Sequence, residues 1–329
     1  MPEPSPTRKR PGRLFRFGAA FVVLLAVAGY LVVQYVTGGV GDPGCRVVSE
    51  EGGTAVYEFT PEQAVNAATI AAVGTNRGMP QRAVAIALAT AIQESGLRNI
   101  GHGDRDSLGL FQQRPSQGWG TPEQILDPTY AADIFYKHLA KVPEYTKLPL
   151  TVAAQRVQRS GYPEAYAKHE PDAVLLAAAL TGQAAATLTC DGRPGATPTA
   201  GPDAVRAAVV RDFGRDVVQE AGAEVKSRSA SSAPTPSGGS PTAETSGRTV
   251  TLPVSGDADA TGRSAQQRGW QLAHWAVANA SALHIERVSY AGREWTAGNT
   301  DSRWLTASGA QGADRAEQTS GSVRIVTAQ

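Results

Sequence analysis

The stretch Ala85–Gln113, AIALATAIQESGLRNIGHGDRDSLGLFQQ, decides how the rest of the chain is organised. It begins inside an almost wholly apolar helix, which we expect to start near Pro80 and to end at Gly96. A helix that is apolar nearly all round is buried. Its carboxylate, Glu94, lies in the last turn, where burial and the helix dipole both raise the pKa of an acid. The pattern predicts a glutamic acid that keeps its proton near neutral pH; the alternative is a residue that caps loop amides or pairs with Arg98.

Two motifs at the end of this helix resemble those of the lysozyme-like superfamily, in particular of soluble lytic transglycosylases and goose-type lysozymes. Glu94-Ser95-Gly96-Leu97 resembles the catalytic Glu-Ser pair that ends a core helix in that family. Gly109-Leu110-Phe111-Gln112 resembles the family's Gly-Leu-Met-Gln motif, with Phe111 in the place of methionine. The Gly103-Asp104 pair with Ser107 is similar to the goose-type loop. The resemblance covers residues 60–182.

This resemblance implies an enzyme that cleaves the glycan strands of peptidoglycan, as a lytic transglycosylase or a muramidase, with Glu94 as general acid and base. It implies neither a cofactor nor a metal, and it makes peptidoglycan the expected partner. The alternative function is a non-catalytic peptidoglycan-binding or scaffolding ectodomain that keeps the lysozyme-like fold. The residues suggested for substrate binding are Ser95, Ser107, Gly109, Phe111, Gln112, Gln155 and Tyr162.

One departure from the family pattern favours that alternative. Where the family has Ala-x-Tyr-Asn-x-Gly, this chain has the run Ala153–Gly161, AAQRVQRSG, which lacks both the tyrosine and the asparagine. Gln155 and Gln158 are the candidates to bind an N-acetyl group instead. Tyr162, directly after the run, is the candidate for the missing tyrosine.

The mechanism depends on whether a second carboxylate lies near Glu94. Asp104 and Asp106 follow it by ten and twelve positions, and either one is a candidate to activate water in the inverting manner. The alternative is that both are solvated loop residues. In that case Glu94 acts alone, the muramic acid C6 hydroxyl attacks the anomeric carbon, and a 1,6-anhydro product is expected.

A tryptophan and three histidines in this region are further candidates for a functional role. Trp119, which lies between two glycines, is either a platform for a sugar ring or an anchor that packs its loop into the core. The histidines of the region lack the spacing of metal ligands, so we expect no metal site there. They are His102, His138 and His169.

The N-terminal region has the pattern of a membrane anchor. Residues 1–16 form a basic tail, and residues 17–36, FGAAFVVLLAVAGYLVVQYV, are apolar and long enough to cross a bilayer. The excess of basic residues before the span predicts a single-pass protein of the cell membrane, with a cytoplasmic N-terminus and extracytoplasmic C-terminal domains. The alternative is a cleavable signal, because Ala26-Val27-Ala28 is similar to a cleavage site.

The chain has two cysteines, Cys45 and Cys190, which lie at the two ends of the lysozyme-like segment. In an oxidising compartment they can pair and close one domain, a constraint worth about 4 kcal/mol in the chain-entropy model. A lipid anchor at Cys45 is the alternative, but the residues before it lack the small apolar run that such a site needs.

The remaining boundaries follow from composition. We expect a lysozyme-like helical domain at 45–190, and a linker at 191–247 with one helix and a stretch rich in Ser, Pro and Gly. A small α/β module of unknown role then fills 248–329, with strands at Thr249–Val254, Ile285–Tyr290 and Val323–Thr327. The predicted fold class is mainly α. The formal net charge of +1 gives no indication of a nucleic-acid partner.

Overall fold

The apolar helix of the opening stretch lies at the centre of the structure. The structure is a computed structural model that describes residues 44–50, 53–162, 164–191, 201–215, 247–254, 258–259, 262–298, 303–307 and 321–328. The helix, α2, spans Gln81–Ser95, and nearly all of its side chains up to Ala91 are buried. It ends at Gly96, whose left-handed backbone (φ 62°) forms the predicted C-terminal cap. All described residues belong to one compact unit, Pro43–Gln329.

Helices surround α2, and their starts follow the capping signals in the sequence. A capping box at Thr60 and Gln63 opens α1, the same box at Thr121 and Gln124 opens α3, and the Asp127 side chain caps α4. The eight α-helices within the described ranges are α1 Pro61–Asn76, α2 Gln81–Ser95, α3 Pro122–Ile125, α4 Pro128–Leu139, α5 Leu150–Gln158, α6 Glu170–Leu180, α7 Pro202–Phe213 and α8 Ala265–Ala278. Single 3-10 turns lie at Pro115–Gln117 and Ala167–His169.

A small antiparallel sheet joins the two ends of this helical region. It has the order β2-β1-β3, with β1 at Cys45–Val48, β2 at Val56–Phe59 and β3 at Leu188–Cys190. Cys45 and Cys190 lie opposite each other in the pairing of β1 with β3, and a disulfide joins them across a sequence separation of 145 residues. The predicted disulfide is confirmed.

A second antiparallel sheet is formed by the C-terminal part of the chain. Its order is β4-β8-β5-β6-β7, and α8 packs on its apolar face. Val250, Val288, Trp295 and Ile325 belong to this face and are buried. The strands are β4 Thr249–Pro253, β5 Ile285–Tyr290, β6 Arg293–Thr296, β7 Leu305–Thr306 and β8 Ser322–Thr327.

The predicted fold class is wrong, because the chain combines its helices with two antiparallel sheets instead of being mainly α. The strands of the first sheet have only three or four residues, too few to show an alternating pattern in the sequence. The second sheet has two strands more than the sequence predicted, and both of them are short.

The predicted membrane topology is also corrected. Among the described residues, no helix has the length and apolar character that a bilayer crossing requires. The basic tail 1–16 and the predicted span 17–36 lie outside the described residues, as does most of the Ser/Pro/Gly stretch. The structure therefore gives no support to a single-pass membrane protein.

The second sheet is attached to the helical region through buried polar contacts of α8. His274 bridges the Ala179 carbonyl oxygen (2.8 Å) and the Thr187 backbone N–H (3.2 Å). Trp275 donates its indole N–H to Asp212 of α7 at 2.8 Å, and Gln271 donates to the Thr75 hydroxyl at 2.6 Å. These contacts join α8 to α1, α6, α7 and the residue that precedes β3.

Candidate functional site

The end of α2 is held in place by two side chains of α1. Gln63 donates its amide to the Gly96 carbonyl oxygen at 2.7 Å, and the buried Asn66 donates to the Leu97 carbonyl oxygen at 2.8 Å. A helix C-terminus leaves its last carbonyl groups without partners inside the helix. The two amides supply partners at this point, so the last turn of α2, which carries Glu94, has a fixed position.

Glu94 is half-buried and accepts a hydrogen bond from Tyr166. The Tyr166 hydroxyl donates to Oε1 of Glu94 at 2.6 Å, and the tyrosine side chain itself is buried. Burial, followed by the hydrogen bond to Glu94 and its negative charge, raises the pKa of the Tyr166 hydroxyl. Tyr166 is therefore protonated at neutral pH and acts as a donor. This residue had no assigned role in the sequence analysis.

The segment that carries Tyr166 makes a second contact with the end of α2. His169, three residues further along, places Nε2 at 3.0 Å from Oε1 of Gln93. Burial is the main reason that the pKa of His169 is lowered. Tyr166 and His169 thus contact two successive residues of α2, Glu94 and Gln93, and fix the segment against the site.

The Glu94–Leu97 and Gly109–Gln112 motifs lie in contact in the structure. The buried Ser95 donates its hydroxyl to the Leu110 carbonyl oxygen at 2.8 Å, which joins the end of α2 to the Gly109–Gln112 turn. Gly109 has a left-handed backbone (φ 73°), and a Cβ there would lie 2.6 Å from the Ile125 carbonyl oxygen. Glycine is therefore required at this position for both backbone conformation and space.

The side chains in and near this turn differ in their burial, and therefore in whether a ligand could contact them. Phe111 is fully buried and stacks on Phe135 at 4.6 Å, so its side chain packs the core and is not available to a ligand. Ser107 is also buried. Gln112 is half-buried, and its amide donates to the Gly109 carbonyl oxygen at 3.2 Å. Gln112 packs against Gly103, where a Cβ would collide with its Oε1.

The residues in place of the family's Tyr-Asn pair hold backbone groups. Gln155 donates its amide to the Ser160 carbonyl oxygen at 2.7 Å, and Gln158 donates to the Phe111 carbonyl oxygen at 2.7 Å. The Tyr162 side chain is 78% exposed. The tyrosine that contacts Glu94 is Tyr166. Gln158 nevertheless links α5 to the Gly109–Gln112 turn.

Of the two candidates for a second carboxylate, Asp104 is exposed to solvent and Asp106 is held by other residues. The side chain of Asp104 is 94% exposed and lies 3.9 Å from Arg105. Asp106 accepts hydrogen bonds from Arg114 (2.7 Å) and from the Ser116 backbone N–H (2.8 Å). Those contacts, Arg114 first, hold the pKa of Asp106 below its ordinary value. Neither aspartate makes a described hydrogen bond to Glu94.

The tryptophan and histidine candidates of this region have no arrangement typical of a binding site. Trp119 is 8% exposed and stacks on His138 with ring centroids 4.3 Å apart, so it anchors its loop in the core. His102 is exposed, and His138 packs beside Trp119. Across the described ranges, no group of three His, Cys, Asp or Glu side chains has a metal-binding arrangement.

Comparison with known proteins bears on the C-terminal part of the chain. Residues 206–319 match the family model described as VldE, C-terminal domain. The matched segment includes most of α7, the helix α8 and strands β4 to β7, and it lies entirely after the Glu94 site. No curated protein matches the sequence. The similarity therefore carries no information on the chemistry at Glu94.

Proposed function

We propose that the chain cleaves the β-1,4 bond between N-acetylmuramic acid and N-acetylglucosamine in peptidoglycan, with Glu94 as general acid and base. The observation that carries this proposal is the hydrogen bond from Tyr166 to Oε1 of Glu94. It occurs at the end of a buried helix, next to the joined Glu-Ser and Gly-Leu-Phe-Gln motifs. The resemblance to lytic transglycosylases and goose-type lysozymes supplies the substrate class.

The Tyr166 contact assigns different tasks to the two oxygens of Glu94. Because Oε1 accepts the tyrosine proton, the transferable proton of the acid form resides on Oε2. In the proposed reaction Oε2 gives this proton to the glycosidic oxygen as the bond from that oxygen to the anomeric carbon breaks. Tyr166 fixes the rotation of the carboxyl group and keeps Oε2 directed at the leaving oxygen.

The surroundings of the aspartates favour a reaction in which Glu94 acts alone. Asp104 is almost fully exposed, and Asp106 is engaged by Arg114 and Ser116. An inverting reaction needs a second carboxylate held about 6.5–9.5 Å from the acid, with water between them. Without it, the muramic acid C6 hydroxyl attacks the anomeric carbon and its proton passes to Glu94, which restores the acid. The product is then the 1,6-anhydro sugar, and no water is consumed.

A non-catalytic, glycan-binding function is the second candidate. It is favoured by Gln155 and Gln158, which replace the family's Tyr-Asn region and whose amide N–H groups are engaged by backbone carbonyl oxygens. Such a protein would bind glycan strands equally well with or without the acid at position 94.

A zymogram with purified peptidoglycan, followed by mass spectrometry of the released muropeptides, separates these possibilities. We expect Glu94→Gln to lower the cleavage rate by about 10²–10⁴-fold, the usual contribution of a general acid. The matched control is Glu144→Gln, because the Glu144 side chain is 68% exposed and pairs only with Lys147 among the described residues. Unchanged cleavage by Glu94→Gln would refute the proposal. Products that are one water heavier than the anhydro form would return a water-activating aspartate to the mechanism.

A further inference from the structure

A surface pocket of about 320 Å³, open to solvent and called the cavity below, lies between the end of α1, the first turns of α4 and the end of α7. Its volume is at the lower end of the range of small-molecule sites, about 300–1,000 Å³. Part of its lining belongs to α7, within the segment that matches the C-terminal family. The side chains that matter for the argument are Asn76, Arg77, Tyr130, Asp133, Arg211 and Asp212.

This cavity is separate from the Glu94 site. Gln63, near the start of α1, contacts the Gly96 carbonyl oxygen at the end of α2. Asn76 lies thirteen positions further along α1, which is about 20 Å at the rise of an α-helix. A ligand of one or two sugar rings therefore cannot contact both places at once.

The charges that line the cavity are paired. Arg77 and Lys137 both form ion pairs with Asp133, and Arg211 donates to both oxygens of Asp212 at 2.8 and 3.1 Å. Asp127 adds a negative charge that acts on Arg211. Three cations and three anions leave these side chains with no net charge, so the lining offers a simple ion no net attraction. An apolar ligand would remove water from the charged groups without replacing its hydrogen bonds. The lining therefore favours a neutral ligand that both donates and accepts hydrogen bonds.

Two further side chains narrow the class of ligand. Tyr130 donates its hydroxyl to the Trp119 carbonyl oxygen at 3.2 Å, so its ring is the part that remains for contact with a ligand. Asn76 is exposed, and its amide offers one acceptor oxygen and two donor hydrogens to a ligand. An aromatic ring beside an amide and paired charges suits a pyranose, which has both hydroxyl groups and apolar ring faces.

We propose that this cavity is a second glycan-binding site, which holds one or two neutral sugar rings away from Glu94. It rests on the proposed function for the choice of glycan, because a strand held here would keep the enzyme on its polymer. Binding itself does not require Glu94 to be catalytic.

The proposal is tested by hydrogen–deuterium exchange of the full chain carrying Glu94→Gln, with and without tetra-N-acetylchitotetraose, a neutral β-1,4 glycan. We expect slower exchange in peptides that cover residues 73–77, 127–133 and 208–214, separately from any protection of residues 94–112. Asn76→Leu in the same background should weaken the protection of the cavity peptides at least 10-fold in apparent affinity. Position 76 is exposed at a helix end, so the fold should tolerate this change. The matched control, Lys147→Leu, changes an exposed side chain elsewhere and should have no effect.

The outcomes separate the two proposals. Protection of residues 94–112 alone overturns the cavity site and leaves the proposed function standing. Protection of the cavity peptides alone, lost in Asn76→Leu, supports the cavity site and counts against glycan binding at Glu94. Protection at both places supports both proposals, whereas protection at neither overturns the cavity site and leaves the proposed function to the zymogram. If Asn76→Leu leaves the protection of the cavity peptides unchanged, the glycan does not bind to the lining described here, and the proposed site is overturned.

Discussion

Glu94 and Asp212 are both carboxylates in the last turn of a helix, yet their surroundings are opposite. The Asp212 side chain is fully buried and accepts hydrogen bonds from Thr69 (3.2 Å), Trp275 (2.8 Å) and Arg211. Glu94 is half-buried, and within the described residues only Tyr166 donates to it. Position in a helix therefore does not predict how a carboxylate is used. Both oxygens of Asp212 already accept hydrogen bonds, whereas the contact from Tyr166 occupies only Oε1 of Glu94, which is what the proposed function requires.

The comparison is tested most strongly by removing Asp212. Asp212→Ala leaves the buried Trp275 and Thr69 donors without their acceptor, and breaking such a buried arrangement costs about 3–5 kcal/mol. Glu94→Gln should change the free energy of unfolding by less than about 1 kcal/mol, because Tyr166 keeps an acceptor oxygen. Urea denaturation of the two variants measures both values. Equal destabilisation would show that Glu94, too, has a mainly structural role.

Tyr166→Phe tests whether the tyrosine positions Glu94 for the proposed cleavage. The change removes one hydrogen bond to an ionisable group, which is worth about 1.5–3 kcal/mol. We expect cleavage to fall by about 10- to 100-fold, and the melting temperature to fall by several degrees because a buried hydrogen bond is lost. Tyr162→Phe is the control, because that side chain is largely exposed and should have no effect. If both variants keep full activity, Tyr166 does not position Glu94.

The buried contacts of α8 should make stability depend on pH. His274 is fully buried, and this burial lowers its pKa to about 4. Its Nδ1 faces a carbonyl oxygen and its Nε2 faces a backbone N–H, so the neutral ring with hydrogen on Nδ1 satisfies both contacts. Because the unfolded chain binds the proton near pH 6.5, stability is fully present above that value and is lost as the pH falls towards 4.

Between pH 7.5 and 5, His274 should account for a loss of about 2 kcal/mol in the free energy of unfolding. Urea denaturation at the two pH values measures it. In His274→Gln this part of the pH dependence should disappear, whereas His102→Gln, at an exposed position, should keep it. A variant at position 274 with the same pH dependence as the parent would contradict the assignment.

The smallest expected effect concerns the loop near the Glu94 site. Gly103→Ala would push the Gln112 side chain away, because a Cβ at position 103 collides with its Oε1 and comes within 2.9 Å of the Ser107 carbonyl oxygen. We expect a loss of about 1 kcal/mol in stability. Gln112→Ala in the same chain should recover part of this loss, and a double-mutant cycle measures the coupling. Additive effects would mean that the two residues do not share this space.

Local signals in the sequence predicted the helices well, and long-range contacts account for what was missed. The caps at Thr60 and Gly96 involve residues close in sequence, so their structure could be predicted directly. Tyr166 could not be predicted from the motif, because Tyr162 lies directly after the motif and Tyr166 lies four residues further on. The three-residue spacing of Tyr166 and His169, which places both on one side of a turn, is the one signal in the sequence. Asp212 gave no signal, since its partners Thr69 and Trp275 are more than sixty residues away in each direction.

The first sheet was missed for the same reason. β1 and β3 pair across almost the whole helical region, and each is too short to show a pattern of its own. The cysteines were the one available clue, because residues that form a disulfide between strands must lie opposite each other. In the second sheet, β4, β5 and β8 were predicted from their strand-like pattern of apolar residues, whereas the short strands β6 and β7 were missed.

The disulfide between Cys45 and Cys190 makes the intervening chain a covalent ring that contains Glu94, Tyr166 and the Gly109–Gln112 turn. A single proteolytic cut at an exposed loop inside this ring would open it without releasing a fragment. The cleaved protein would keep its mass under denaturing conditions and would separate into two pieces only after reduction. Enzymatic activity after such a cut would then report whether the site depends on an unbroken backbone or on the packing around it.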